Sequence, residues 1–158
     1  MHKIRVSPIP TEHAHAFWNG GKDAHDMAPE RHLSDGSGVP CRHCLQQVAA
    51  GEPYLILAYC PFPRSQPYAE VGPIFLHANP CKPYQEDDRI PSMYLGGEPR
   101  IVRAYSDKDR IRYDTGKVVP PDTIAEYAAC LLSDPQTAYV HVRSSMNNCY
   151  AFRIDRSA

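Results

Sequence analysis

Proline is the residue that most constrains the fold of this chain, because 16 prolines are spread along 158 residues. A proline inside a helix removes a backbone hydrogen bond and clashes with the preceding turn. The proline content therefore argues against an all-helical bundle and predicts short elements joined by turns. A chain of this length can bury a hydrophobic core, and we expect a single domain over residues 1–158.

Short apolar runs between these turns predict strands. Residues 4–9 alternate in polarity and end at prolines, which is typical of an edge strand. Residues 54–60 are apolar throughout and predict a central strand with two covered faces. The other predicted strands cover residues 74–78, a hairpin formed by 100–105 and 110–119, and the pair 137–143 and 149–155.

Three segments predict helices. One covers residues 11–18 with Thr11 as its cap, a short one covers residues 41–49, and one starts at Pro121 or Asp122. Residues 22–39 are polar and show no periodicity, so they predict a long loop. Together the patterns predict an α+β fold, with a mainly antiparallel sheet and two or three helices packed on it.

Charge and cysteine content restrict the partners and the compartment. The net charge of −1 gives no general field for nucleic acid or an anionic membrane, and we expect neither as a partner. The first residues carry no apolar signal-peptide core and no later run would span a bilayer, so we expect a cytoplasmic protein. In a reducing compartment the six cysteines would be free thiols, metal ligands or redox groups.

Several motifs occur in a characteristic order along the chain: residues 38–45, Gly51-Glu52, residues 68–77 with Cys81, His141-Val-Arg143, Cys149-Tyr150 and Arg153. Together they resemble a bacterial family that is catalogued as a domain of unknown function, number twelve hundred and three. The resemblance covers nearly the whole chain after the first predicted helix, and residues 40–45 and 72–77 carry most of it. Asn148 departs from the pattern, which has a glycine there. The resemblance implies one soluble domain and no particular activity.

Two pairs of residues have the spacing of zinc ligands. Cys41 and Cys44 form a C-x-x-C pair, and His77 with Cys81 forms an H-x-x-x-C pair. Thiolate and imidazole groups in two such pairs suit a tetrahedral zinc ion, because each pair binds the ion from one local turn. These four residues are the predicted metal site.

The same cysteines have two other interpretations. Cys41 at the start of a helix, beside Arg42 and His43, would have a lowered pKa and could act as a redox thiol or nucleophile, with His43 or His77 as its base. No buried strand precedes the C-x-x-C pair, however, as one does in thioredoxin-like enzymes. Cysteine is also among the most buried residue types, so plain packing remains open.

Strand alternation predicts a second candidate site. Tyr139, His141 and Arg143 point to one face of the predicted strand 137–143. In the predicted strand 149–155, strict alternation places Arg153 on the face opposite to Tyr150 and Phe152. Arginine and histidine converging on one face suit phosphate or carboxylate, and the histidine would serve as acid or base. A solvated sheet face is the alternative. The predicted ligand-binding residues are Arg103, Tyr105, His141, Arg143 and Arg153, with His77 at the end of another strand.

The leading hypothesis from the sequence is therefore a binding domain for a small anionic molecule or a protein segment, in a pocket lined by cysteine, histidine and arginine. The alternatives are an enzyme that uses the thiol of Cys41 or Cys44, and a zinc-stabilised interaction module.

Overall fold

The computed structural model describes residues 3–85 and 87–158, which divide into two compact units. The five-stranded unit contains Met1–Ser7, Gln66–Tyr68 and Gln85–Ala158. The three-stranded unit contains Pro8–Ser65 and Ala69–Tyr84. That both units fold as the single domain expected from the sequence stays a prediction.

The described residues form eight strands and two α-helices, which confirms the predicted α+β class. The strands lie in two antiparallel sheets, and short 3-10 turns occur at Ser92–Tyr94 and Pro121–Thr123. Within the described residues, neither helix is long and apolar enough to cross a membrane. In chain order the elements are β1 (Ile4–Ser7), α1 (Thr11–Trp18), β2 (Glu30–Leu33), β3 (Pro53–Tyr59), β4 (Gly72–His77), β5 (Arg100–Tyr105), β6 (Lys117–Val119), α2 (Ile124–Leu132), β7 (Tyr139–Ser144) and β8 (Tyr150–Arg156).

The five-stranded sheet has the order β1-β8-β7-β5-β6, and β1 is an edge strand as predicted. Val102, Val142 and Phe152 are cross-strand partners on its apolar face, and all three are fully buried. Helix α2 packs against β5, β7 and β8. Arg156 lies on the apolar face, two residues after Ile154, and donates to the carbonyl of Leu132 at the end of α2. The helix therefore covers the apolar face.

A β-bulge between β7 and β8 changes which side chains share a face. The register runs from Val142–Phe152 to Arg143–Tyr150, so Ala151 is the extra residue. Strict alternation was therefore wrong for Tyr150, which shares the face of His141 at a ring distance of 4.8 Å. In the preceding turn Asn148 has a φ of 56°, a conformation that glycine adopts freely and asparagine more readily than most residues.

The three-stranded sheet has the order β2-β3-β4, with β3 in the centre as predicted. Strand β2 lies inside residues 22–39, so the prediction of a loop throughout that segment was wrong. All four residues of β2 are exposed, and they pair with β3 through the backbone. A strand with no buried face has no hydrophobic alternation for the sequence to reveal.

The segment predicted as a helix at residues 41–49 is a turn instead. Cys41 forms a parallel bridge with Phe75, and Arg42 donates its backbone N–H to the Phe75 carbonyl. Leu45 donates to the carbonyl of Cys41 and has a φ of 56°, which ends the turn. The segment therefore closes through local hydrogen bonds and a bridge to β4, and the positive φ of Leu45 stops it after a single turn.

Candidate metal centre

The four residues predicted as metal ligands come together in the three-stranded unit. One ligand atom from each of Cys41, Cys44, His77 and Cys81 lies within 4.8 Å of all the others. Cys41 is fully buried, and the other three are half-buried. Two thiols come from the turn after Pro40, the imidazole ends β4, and the third thiol follows four residues later. That these four residues bind a metal stays a prediction.

The distances inside the cluster match a tetrahedral zinc site. Zinc–sulfur bonds of about 2.3 Å and zinc–nitrogen bonds of about 2.0 Å place two sulfurs about 3.8 Å apart, and a sulfur and a nitrogen about 3.5 Å apart. The Sγ atoms of Cys41 and Cys81 are 3.8 Å apart. The Sγ of Cys44 lies 3.5 Å from Nδ1 of His77. These two donor–donor distances match tetrahedral zinc, and all four ligand atoms lie within 4.8 Å of one another.

The local chain explains how these groups are placed. The bridge between Cys41 and Phe75 holds the turn beside β4, two residues before His77. The backbone N–H of His77 donates to the Sγ of Cys41 at 3.4 Å, and the backbone of Cys44 also hydrogen-bonds this sulfur. These N–H groups favour a negatively charged sulfur.

Sharing of protons among the thiols shifts their acidity in opposite directions. Contact with Cys44 and Cys81, and then with His77, lowers the pKa of the Cys41 thiol, whereas contact with Cys41 and Cys44 raises the pKa of Cys81. The same two sulfurs, Cys41 first, raise the pKa of His77 to about 10. The Cys41 thiol therefore gives up its proton first, while Cys81 and His77 keep theirs until a cation displaces them.

Glu52 supports His77 from the side away from the thiols. Its carboxylate lies 3.5 Å from Nε2 of His77, while Nδ1 of the same ring faces Cys44. A carboxylate behind a metal-binding imidazole fixes the ring orientation and increases its basicity. No pattern in the sequence assigned a role to Glu52. Its place in the Gly51-Glu52 motif of the family resemblance was the one indication that it matters.

The comparison with known families covers the whole cluster. A family model described as "Protein of unknown function (DUF1203)" matches residues 38–156. The chain belongs to this family. The match includes both ligand pairs and confirms the resemblance found from the sequence, whereas helix α1 precedes the matched residues. The chain matches no curated protein and no solved structure.

His43 contacts the cluster of the DUF1203 chain although the C-x-x-C spacing does not include it. Its Nδ1 lies 3.3 Å from the Sγ of Cys81, and its Nε2 lies 2.9 Å from the hydroxyl of Thr11. The backbone of Cys81 also hydrogen-bonds this ring. Burial lowers the pKa of His43, which favours the neutral ring.

Five of the predicted ligand-binding residues lie on one face of the five-stranded sheet. Arg103, His141 and Arg153 are direct cross-strand partners. Tyr105 and Arg143 lie two residues from Arg103 and His141 on the same strands and so share their face. His77 belongs to the other unit and to the cysteine cluster.

This face is a packed aromatic layer and not a solvated surface. The ring of His141 is fully buried, with centroids 4.7 Å from Tyr105 and 5.0 Å from Tyr139. Burial, and then the charges of Arg143, Arg153 and Arg103, hold the pKa of His141 well below its usual range. Arg153 stacks on Tyr139 and pairs with Asp155. That this face binds a ligand stays a prediction.

Proposed function

We propose that the DUF1203 chain is a binding module whose three-stranded unit is stabilised by a structural zinc ion held by Cys41, Cys44, His77 and Cys81. The agreement between the cluster distances and tetrahedral zinc carries this proposal. Three thiolates and one imidazole fill all four positions. Because a catalytic zinc keeps one position for water or substrate, a filled donor set favours a structural ion.

The place of the cluster in the unit supports the same function. The turn after Pro40 contains isolated bridges and no helix, so its ties to β4 are few. An ion that binds two thiols of the turn, and the imidazole at the end of β4, would lock these segments together. Since the unfolded chain holds no such site, zinc binding would contribute directly to folding.

The burial of Cys41 disfavours the alternative in which its thiol is the reactive group. A nucleophilic or redox cysteine needs a partly exposed thiolate, and the side chain of Cys41 is 0% exposed. Cys44 and Cys81 are more accessible, but both lie within the same donor set. In the zinc proposal all three thiolates are metal ligands.

Elemental analysis of the purified, tag-free protein tests the proposal. We expect close to one zinc per chain, and a thiol count in the native protein that rises when a strong chelator is added. The chelator should also lower the melting temperature, and added zinc should restore it. A protein that contains no zinc, fails to take it up under reducing conditions, and melts identically with and without chelator would contradict the proposal.

A second proposal concerns the ligand of the module. Three guanidinium groups, those of Arg103, Arg143 and Arg153, are near enough to His141 to act on its charge state, and Asp155 offsets one of them. Guanidinium groups gathered beside a histidine on one sheet face favour a small anion or an acidic protein segment as the ligand.

A further inference from the structure

Helix α1 contacts the metal-binding segments at both of its ends. At its start the hydroxyl of Thr11 bonds Nε2 of His43. At its end the indole N–H of Trp18 donates to the carbonyl of His77 at 2.7 Å. The Trp18 ring also lies edge-on to the His43 ring, with centroids 5.3 Å apart. The helix is therefore joined to one proposed ligand and to the residue beside another.

His43 is the connecting group in this arrangement. His43 lies between Cys41 and Cys44 in the sequence, and its side chain is fully buried. Its ring nevertheless faces Cys81, which is 38 residues away along the chain. Its Nδ1 lies 3.3 Å from the Sγ of Cys81 and its Nε2 lies 2.9 Å from the hydroxyl of Thr11, so the ring stands between α1 and the third thiol of the cluster. A neutral ring with its proton on Nδ1 would donate to Cys81 and accept the hydroxyl proton of Thr11 at Nε2.

We infer that His43 is a positioning residue of the metal site, which donates a hydrogen bond to the Cys81 thiolate and is itself oriented by Thr11 of α1. This inference rests on the proposed zinc site. Three thiolates and one neutral imidazole leave a net charge of −1 on a zinc complex, and an N–H donor at 3.3 Å disperses that charge. Outer hydrogen bonds of this kind typically change metal affinity by about 10- to 100-fold.

The decisive experiment compares two substitutions at His43. In His43→Asn the side-chain amide keeps a donor close to the position of Nδ1, whereas in His43→Leu the donor is lost. Zinc affinity is measured by competition with a chromophoric chelator. We expect His43→Leu to bind zinc about 10- to 100-fold more weakly, and His43→Asn to regain most of the loss.

Cobalt(II) supplies a readout that a purely structural role would not change. A hydrogen bond to a thiolate lowers the energy of its lone pairs, so its loss shifts the sulfur-to-cobalt charge-transfer band to longer wavelength. We expect this shift in His43→Leu and not in His43→Asn. Trp18 is the single tryptophan of the chain, so its fluorescence reports metal binding at α1 in the same titration.

Thr11→Val keeps the test decisive if His43→Leu fails to fold. Thr11 is exposed, and valine has nearly the same shape but no hydroxyl. We expect weaker zinc binding than in wild type, whereas Thr123→Val, which removes a hydroxyl from the other unit, should bind as wild type does.

Equal zinc affinity and an unshifted cobalt band in His43→Leu or, if it does not fold, in Thr11→Val would overturn the inference and leave the zinc site intact. Wild-type protein that binds neither metal would instead overturn the proposed zinc site and the inference with it.

Discussion

Nδ1 of His77 lies 3.5 Å from the Sγ of Cys44, although 33 residues separate them in the chain. This contact joins the end of β4 to the turn after Pro40. Its length is that expected for a nitrogen and a sulfur bound to one zinc ion. The C-x-x-C pair and the H-x-x-x-C pair therefore contribute to one donor set.

Cys44→Ser should lose zinc and stability together. Loss of a direct ligand is expected to weaken zinc binding by more than the roughly 100-fold cost of losing an outer hydrogen bond. Zinc content and the melting temperature would be measured in the same preparation. Cys130→Ser is the matched control, because Cys130 is exposed and lies in the other unit. Equal zinc content in the two variants would remove Cys44 from the site.

Glu52→Gln should weaken zinc binding and leave the fold in place. The substitution keeps the size of the side chain and removes the negative charge that faces Nε2 of His77. We expect a loss of about tenfold in zinc affinity, at the lower end of the range for such partners, since Glu52 is exposed. Glu30→Gln, which removes the carboxylate beside the exposed His32, is the control. An affinity unchanged from the control would show that Glu52 does not orient the ring.

Alkylation should distinguish the zinc module from an enzyme with a reactive thiol. In zinc-loaded native protein we expect exposed Cys130 to react first with iodoacetamide and buried Cys41 last. Chelation should make the cluster thiols react faster, because it frees them from the ion. Peptide mapping by mass spectrometry gives the order. Fast labelling of Cys41 with zinc still bound would instead support the thiol-enzyme hypothesis.

Stability should fall in mild acid because of His141. Its pKa in the folded protein lies well below the value of about 6.5 expected in the unfolded chain. Between that pH and the lower pKa of the folded state, His141 binds a proton in the unfolded chain and not in the folded protein. The expected loss is about 1.4 kcal/mol per pH unit.

The measurement is the free energy of unfolding of wild type and His141→Phe as a function of pH, both zinc-loaded. The wild-type curve should fall more steeply below about pH 6.5, by the slope expected for one proton. Parallel curves would mean that the pKa of His141 is the same in the folded and unfolded states.

An anion should bind the arginine-bearing face of the five-stranded sheet. With inorganic phosphate as the probe, the NMR signals of this face should shift in wild type and remain still in Arg143→Ala. Arg103→Gln is the second variant, since Arg143 is buried and its loss would reduce stability. Arg110→Ala is the control, because Arg110 is exposed and its guanidinium lies over the Tyr68 ring. Wild-type signals that do not move, or that move equally in both variants, would contradict an anion site here.

The sequence by itself determined the α+β class, the central strand β3 and helix α1. It also singled out the four residues that lie together in the cluster, and their binding of a metal stays a prediction. Periodicity reveals an element that buries one face, and ligand spacing reveals a pair that binds from one turn. Strand β2, with no buried residue, gave neither signal. The turn after Pro40 was misread as a helix because neither its bridge to β4 nor the positive φ of Leu45 leaves a signal in local residue spacing.

Only the tertiary structure decided what surrounds each site. It placed His43 against Cys81 and Glu52 behind His77, and it buried His141 among tyrosines instead of exposing it to solvent. It also moved Tyr150 to that face through one extra residue in β8. Local sequence patterns encode spacing along the chain, whereas these contacts depend on register and on packing between distant segments.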